Sequence, residues 1–446
     1  MNRRSFLGAS LAAAAAAPLV TSGLAGSAQA AQGAGADSGS DPVLTNPKIA
    51  ADRRAGLERL KPSKRDLEHG LELHANSVVL DTYGFGPNSG VDNAVLAKVI
   101  NSGASEAEIN DAREDMMMTR MVTDAAERIE YESAWKAAGV TAIVRNSGEE
   151  SSDTIRLLKR LARWVYVTDH LRDRFPKAVK ADDIVAAKKA GHHAIMMTTN
   201  GVPLVQQWVN TQDELRHIRV FAELGVRMMH LTYNRRNAIG DGCGEAMDAG
   251  LSDFGRMAVG ELNRQGVIAD CAHSSQKTGY DAAKVTKKPM VASHSSVASL
   301  NKHIRAKNDD VIKAIIDTGG LVGICCIGHF LGGNRDIVAL LDHIDYMIKR
   351  FGSDSVGIGT DVGYTSRVKT AEVKLPPRGP QRVRWEALWP PGSLGGDLRD
   401  GAATASLAWT NWPLFTVGMV QRGHSDQIIQ KVLGGNMLRV LKANEA

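Results

Sequence analysis

The sequence predicts an α/β fold, a (β/α)8 barrel of the TIM type, on two observations. Eight short apolar runs rich in β-branched residues follow one another along the chain, and the stretches between them carry helical periodicity and tend to end in glycine. The alternative for such a pattern is a doubly wound open sheet, but no glycine-rich dinucleotide fingerprint follows any of the runs.

The first thirty residues stand apart from the fold. Arg3 and Arg4 followed by Ser5, Phe6 and Leu7 form a twin-arginine export pattern, and Ala28-Gln29-Ala30 offers a small-residue cleavage point before Ala31. This predicts a signal peptide over 1–30 and a periplasmic or otherwise exported product of the twin-arginine route. Residues 31–64 read as a flexible, Ala/Gly/Ser/Asp/Pro-rich linker and lead-in, and residues 65–446 as the barrel.

The predicted strands lie within residues 76–83, 139–146, 192–199, 226–233, 266–273, 288–295, 319–326 and 355–362. Between them, "TQDELRHIRVFAELG", "LSDFGRMAVGELNRQG" and "NDDVIKAIIDTGG" space apolar residues at i, i+3, i+4 and then stop at glycine, as helices do. A long irregular stretch near 364–403, with Arg378, Trp385 and Trp389, would follow the last strand and lie at the barrel mouth. The final "HSDQIIQKVLGGNMLRVLKA" reads as a closing helix pair.

Composition narrows the function classes. The formal charge of +5 falls to +3 without Arg3 and Arg4, too mild to argue for nucleic acid or an anionic surface. No span predicted in the mature chain is suited to a membrane, and a homodimer is left open. The four cysteines read as buried thiols, since Cys325 and Cys326 are adjacent within an apolar run; a Cys243–Cys271 pair is the other option.

Active groups in this fold gather where the strands end. His273 and His294 fall at the ends of adjacent runs and Asp361 at the end of the last. Two imidazoles converging on one mouth can hold zinc, and a carboxylate beside them can orient or deprotonate a water. Cys271 and His329 are further candidate donors, whereas His69 and His74 precede the first strand and should lie at the opposite end.

From about residue 65 onward the chain resembles the membrane (renal) dipeptidase family of zinc metallopeptidases. The resemblance rests on "FAELGVRMMHLTYN", "GLSDFGRMAVGELNRQGVIADCAHSS", "PMVASHSSVASLNKHIRAKNDD", "HIDYMIKRFGSDSVGIGTD" and "GGNMLRVL", which come in the family's order and spacing. It implies a metallo-dependent hydrolase-like (β/α)8 barrel with a two-zinc site that hydrolyses dipeptides. His273 and His294 match two histidine ligands of one zinc, and Asp361 the acid beside the metal-bound water. Arg305 matches the arginine that receives the substrate carboxylate.

Four positions depart from that pattern. Tyr83 and Phe85 stand where the family has a first-strand His-x-Asp pair for the other zinc, and Asn200 replaces a glutamate that bridges both ions. Tyr233 stands where well-known members have a histidine that contacts substrate. The donors that remain support one zinc ion at most, or none. The expectation is therefore a metallohydrolase cleaving a dipeptide or related small amide at a reduced site. The alternative is an inactive or repurposed barrel that binds or matures a peptide-like ligand, with Tyr83 as a proton donor or acceptor.

Overall fold

The eight apolar runs form eight parallel strands in a computed structural model that describes residues 45–148, 153–368, 370, 372–377, 388–393 and 401–445. In chain order they are β1 (Leu80–Gly84), β3 (Ala142–Asn146), β4 (Ala194–Thr199), β5 (Val226–His230), β6 (Ile268–Asp270), β7 (Val291–Val297), β9 (Leu321–Ile324) and β10 (Val356–Ile358). Short strands decorate the rim: β2 (Gly86–Asn88) pairs with β11 (Gly363–Thr365), and β8 (Ala306–Lys307) pairs with the end of β7.

The strands follow one another around a nearly closed ring, as predicted. At the β10/β1 seam the closure comes from residues just past the ladders. The Asp361 N–H donates to the Tyr83 carbonyl at 3.0 Å, and the Phe85 N–H to the Val362 carbonyl at 3.1 Å. Below them, the Asp81 carboxylate accepts from the Thr360 N–H (2.9 Å), the Thr360 hydroxyl (2.7 Å) and the Trp409 indole (3.0 Å). These bonds carry the start of the chain to its far end, so Asp361 and Tyr83 arrive side by side.

Strand alternation sorts the side chains. Leu80, Ala142, Val144, Met196, Met228, Ile268, Val291 and Leu321 fill the ring interior, while Ile143, Ile195, Met197, Met229, Ala269, Ala292, Val322 and Ile358 join the larger cluster beneath the helices. The helices start where the sequence offers a cap. Asn210, Ser252 and Asn308 accept backbone N–H bonds ahead of Thr211–Glu223, Asp253–Arg264 and Asp309–Asp317.

Two expectations need adjustment. Pro47–Leu60, inside the span expected as linker and lead-in, is a helix capped by Asn46, and its buried Arg53 donates to the carbonyls of Ala137 and Thr410. The closing helix pair is instead one continuous helical run over 426–444, with a π turn at Lys431–Gly435. A Cβ on Gly434 would lie 2.5 Å from the Val78 carbonyl, so glycine lets this turn press against the foot of β1. The signal peptide, most of the linker, Arg378 and Trp385 lie outside the described residues. Trp389 packs on Phe330 (ring centroids 6.0 Å), and the Ser393 carbonyl contacts His303 Nε2 at 2.7 Å, so this part of the long stretch leans on the rim beside Arg305. All four cysteines are free thiols, and no helix among the described residues is long and apolar enough to cross a membrane.

Candidate active site

Two residues beyond the apolar floor, the inward positions turn polar. Met228 is followed by His230, Ile268 by Asp270 and Val291 by Ser293, all fully buried. Next come the residues at the mouth. The pairing of β7 with β9 shifts register between Ala292 and Ser295, and such an irregularity re-aims a side chain. His294 sits within it. His273 follows β6 in a turn held by the Cys243 N–H donating to the His273 carbonyl at 2.8 Å.

The structure brings the two predicted histidines together. Their Nε2 atoms face each other at 3.0 Å, and both rings are buried. The outer nitrogens are engaged: His273 Nδ1 contacts Asn234 Oδ1 at 2.7 Å, and His294 Nδ1 contacts the Ser293 hydroxyl at 2.8 Å. With Nδ1–H donating outward, each Nε2 presents a lone pair to the other, which favours a cation between them. Burial, then the positive charge of nearby Arg305, push both imidazoles well below their ordinary pKa, so they are neutral.

Tyr83 lies where a first-strand ligand was expected, and its hydroxyl donates to Asn200 Oδ1 at 2.6 Å. Burial and the neighbouring Asp361 carboxylate raise the phenol well above its ordinary value. Tyr83 stays protonated, and the two changed positions satisfy one another. Half-buried Phe85 sits edge-on to Tyr83, at 6.4 Å between centroids. Tyr233 stacks on His273 at 4.2 Å, where a substrate-contacting side chain was expected.

Arg305 is not a solvated rim charge, being only 1% exposed. Its Nη2 donates to the His294 carbonyl at 3.1 Å and its Nε to the Ala272 carbonyl at 3.4 Å, but buried Nη1 has no partner. Half-buried Asp361 takes a left-handed backbone at φ +56°, which asparagine and aspartate tolerate better than most residues. Burial pushes its carboxyl up to about 6, against the lowering pull of Arg305 and His230.

Sequence reasoning missed His230 and Asp270. The donor atoms of His230, Asp270 and His294 lie within 4.8 Å of one another, the metal-capable cluster found among the described residues, and neither His273 nor Asp361 is part of it. Burial alone would raise the Asp270 carboxyl, but the His230 imidazole and bonds from Ser293 outweigh it and hold Asp270 below the ordinary range. Counting inward by twos from Met228 and from Ile268 would have found both His230 and Asp270. Cys271 packs against the helix-side cluster, near Gly279, and half-buried His329 stands edge-on to His303 instead of joining the pair. His74 is buried against Thr416 and the Ala138 carbonyl, apart from this cluster.

The donor chemistry does not fit a dinuclear centre of the expected pattern. A phenol bonded to an amide replaces an imidazole and a bridging carboxylate. It does fit one cation, since His294, a neutral imidazole facing His273, also has the Asp270 carboxylate and His230 within reach.

Comparisons with known proteins bear on the family and the fold. Residues 96–373 match the family described as Membrane dipeptidase (Peptidase family M19). A dipeptidase of Claviceps purpurea is 29% identical over 299 residues, 66% of this chain and 60% of that protein. An uncharacterized dipeptidase of Schizosaccharomyces pombe is 32% identical over 230 residues, covering 50% and 51% respectively. The chain thus spans about half to three fifths of these curated relatives. Among solved structures, an amidohydrolase from Pseudomonas aeruginosa superposes with a TM-score of 0.58 at 24% identity, covering 84% of this chain and 98% of that one. The probable dipeptidase PvdM of the same organism gives 0.60 at 18%, covering 85% and 98%. At these identities the structural likeness speaks for the barrel alone. The family match spans more than half of the sequence, and on it the chain belongs to the membrane dipeptidase family, peptidase family M19.

Proposed function

We propose that the chain is an exported metallohydrolase that cleaves a dipeptide or a related small amide at a site for one metal ion, zinc by preference. The observation that carries this reading is the facing pair of Nε2 atoms on His273 and His294, 3.0 Å apart, buried and neutral. A divalent cation bound there supplies Lewis acidity, lowering the pKa of water and polarising a carbonyl.

The remaining roles belong to the chain itself. Arg305 offers its unpartnered Nη1–H groups to the substrate carboxylate, and a carboxylate in that buried setting makes a strong charge-assisted bond. Tyr233, stacked on His273, forms a wall against which the substrate lies. Asp361, held beside Tyr83 by its backbone bond, takes a proton from the attacking water as general base and returns it to the leaving amine. Export by the twin-arginine route, read from Arg3 and Arg4, belongs to the same proposal.

One observation favours a second reading, a barrel that binds a peptide-like ligand without cleaving it. The Tyr83–Asn200 bond closes the side where a second ion would sit. Metal content and dipeptide turnover, measured on the same preparation, separate the two. About one equivalent of metal with turnover, both lost in His273→Ala/His294→Ala, supports hydrolysis; tight dipeptide binding without metal or turnover supports the second reading. Turnover that survives the double variant overturns the role given to the histidines.

A further inference from the structure

Three imidazoles meet at the mouth. The His230 ring centroid is 5.2 Å from both His273 and His294, which are themselves 5.0 Å apart. His230 is fully buried, and neither of its ring nitrogens makes a hydrogen bond. Its Nε2 nevertheless lies 2.8 Å from Asp270 Oδ2. At that distance an aligned N–H would form a strong bond, so an off-line approach describes two donor atoms converging on a common point.

The carboxylate is fixed from behind. Asp270 Oδ1 accepts the N–H groups of Ala272 (2.8 Å) and Ser293 (3.0 Å), and the Ser293 hydroxyl donates to Oδ2. One donor atom each from His230, Asp270 and His294 falls within 4.8 Å of the others. Two ligand atoms on a tetrahedral zinc ion, at ordinary bond lengths, stand about 3.4 Å apart. Small movements close these three donors on one ion, and His273, outside the cluster, joins it through its Nε2, 3.0 Å from that of His294.

We propose that His230, His273, His294 and Asp270 together form a mononuclear site for a divalent transition-metal ion. His230 and Asp270 supply, from the floor of the mouth, the donors that Tyr83, Phe85 and Asn200 do not. The proposal rests on the reading of His273 and His294 as a metal pair and extends it. Three imidazoles with one carboxylate suit zinc, cobalt(II) or nickel(II) over magnesium or calcium. Tyr83, stacked on His294, keeps that ring upright over the floor.

The test is zinc binding to the purified, chelator-stripped protein, read by titration and elemental analysis, with His230→Gln, Asp270→Asn and the His273→Ala/His294→Ala pair beside it. The expected result is one equivalent in the parent protein, with affinity at least tenfold weaker in His230→Gln and in Asp270→Asn. Equal affinity in those two variants, with loss in the histidine pair, overturns this inference and leaves the pair reading standing; a parent protein that binds no zinc overturns both. Should His230→Gln not fold, anomalous scattering from zinc-soaked crystals of the parent decides. A peak within bonding distance of His230 and Asp270 supports the site, and one confined to His273 and His294 overturns it.

Discussion

Tyr83 lies flat against His294, with ring centroids 3.8 Å apart and planes within 10° of each other. An aromatic residue at the end of β1 thus supports the imidazole carried by β7. Tyr83→Phe keeps the stack but leaves the buried Asn200 carbonyl without its donor, and is expected to destabilise the fold by about 1–3 kcal/mol. Chemical denaturation of the two proteins measures this, and unchanged stability would show that the bond contributes little.

Restoring the expected donors should restore a second ion. Tyr83→His/Phe85→Asp/Asn200→Glu replaces the phenol, phenyl and amide with an imidazole and two carboxylates. Metal per chain, by elemental analysis, is expected to rise from one to two; a value still at one would mean that these three positions do not make the missing half.

Arg305 should act on binding more than on the chemical step. Losing a hydrogen bond to a charged group costs about 1.5–3 kcal/mol, so Arg305→Gln is expected to raise KM for a free dipeptide roughly 10- to 150-fold with a smaller change in kcat. A C-terminally amidated dipeptide should show little of this effect. Equal losses on both substrates would argue that Arg305 only braces the His294 and Ala272 carbonyls.

Asp361→Asn separates strain from chemistry. Asparagine also accepts the left-handed backbone at φ +56°, so the variant should keep parental stability. A general base contributes roughly 10²–10⁴-fold, and turnover should fall by about that factor. Retention of most activity would remove Asp361 from the mechanism.

His74 predicts an acid-sensitive stability. Burial holds its imidazole down to about 3 from 6.5, while Thr416 and the Ala138 carbonyl flank the ring. The unfolded chain therefore binds more protons between those values. The His74 contribution is fully present above pH 6.5 and lost as pH falls toward 3, at a limiting slope of about 1.4 kcal/mol per pH unit. Unfolding free energy against pH should lose that slope in His74→Gln, and an identical profile would refute the assignment.

Much of the mouth was legible before folding. His273, His294 and Asp361 each end an apolar run, so the strand rule alone sent them to one face. Tyr83, Phe85 and Asn200 marked by residue type the departure from the family's expected donors. His230 was hidden because it sits inside a run that reads as core, three residues before the more conspicuous Tyr233. Asp270 was hidden for the same reason.

The order and phase of the strands, the glycines that stop the helices and the strand-end positions of the two histidines were legible in sequence alone, because each depends on residues only a few positions apart. Only the tertiary structure decided that Arg305 is buried with a free donor, that Tyr83 bonds Asn200, and that His230 and Asp270 rise beneath His294. Those relationships join residues far apart in the chain. They exist because the ring closes and because an irregularity in β7 sets the aim of one imidazole, and no local pattern encodes either.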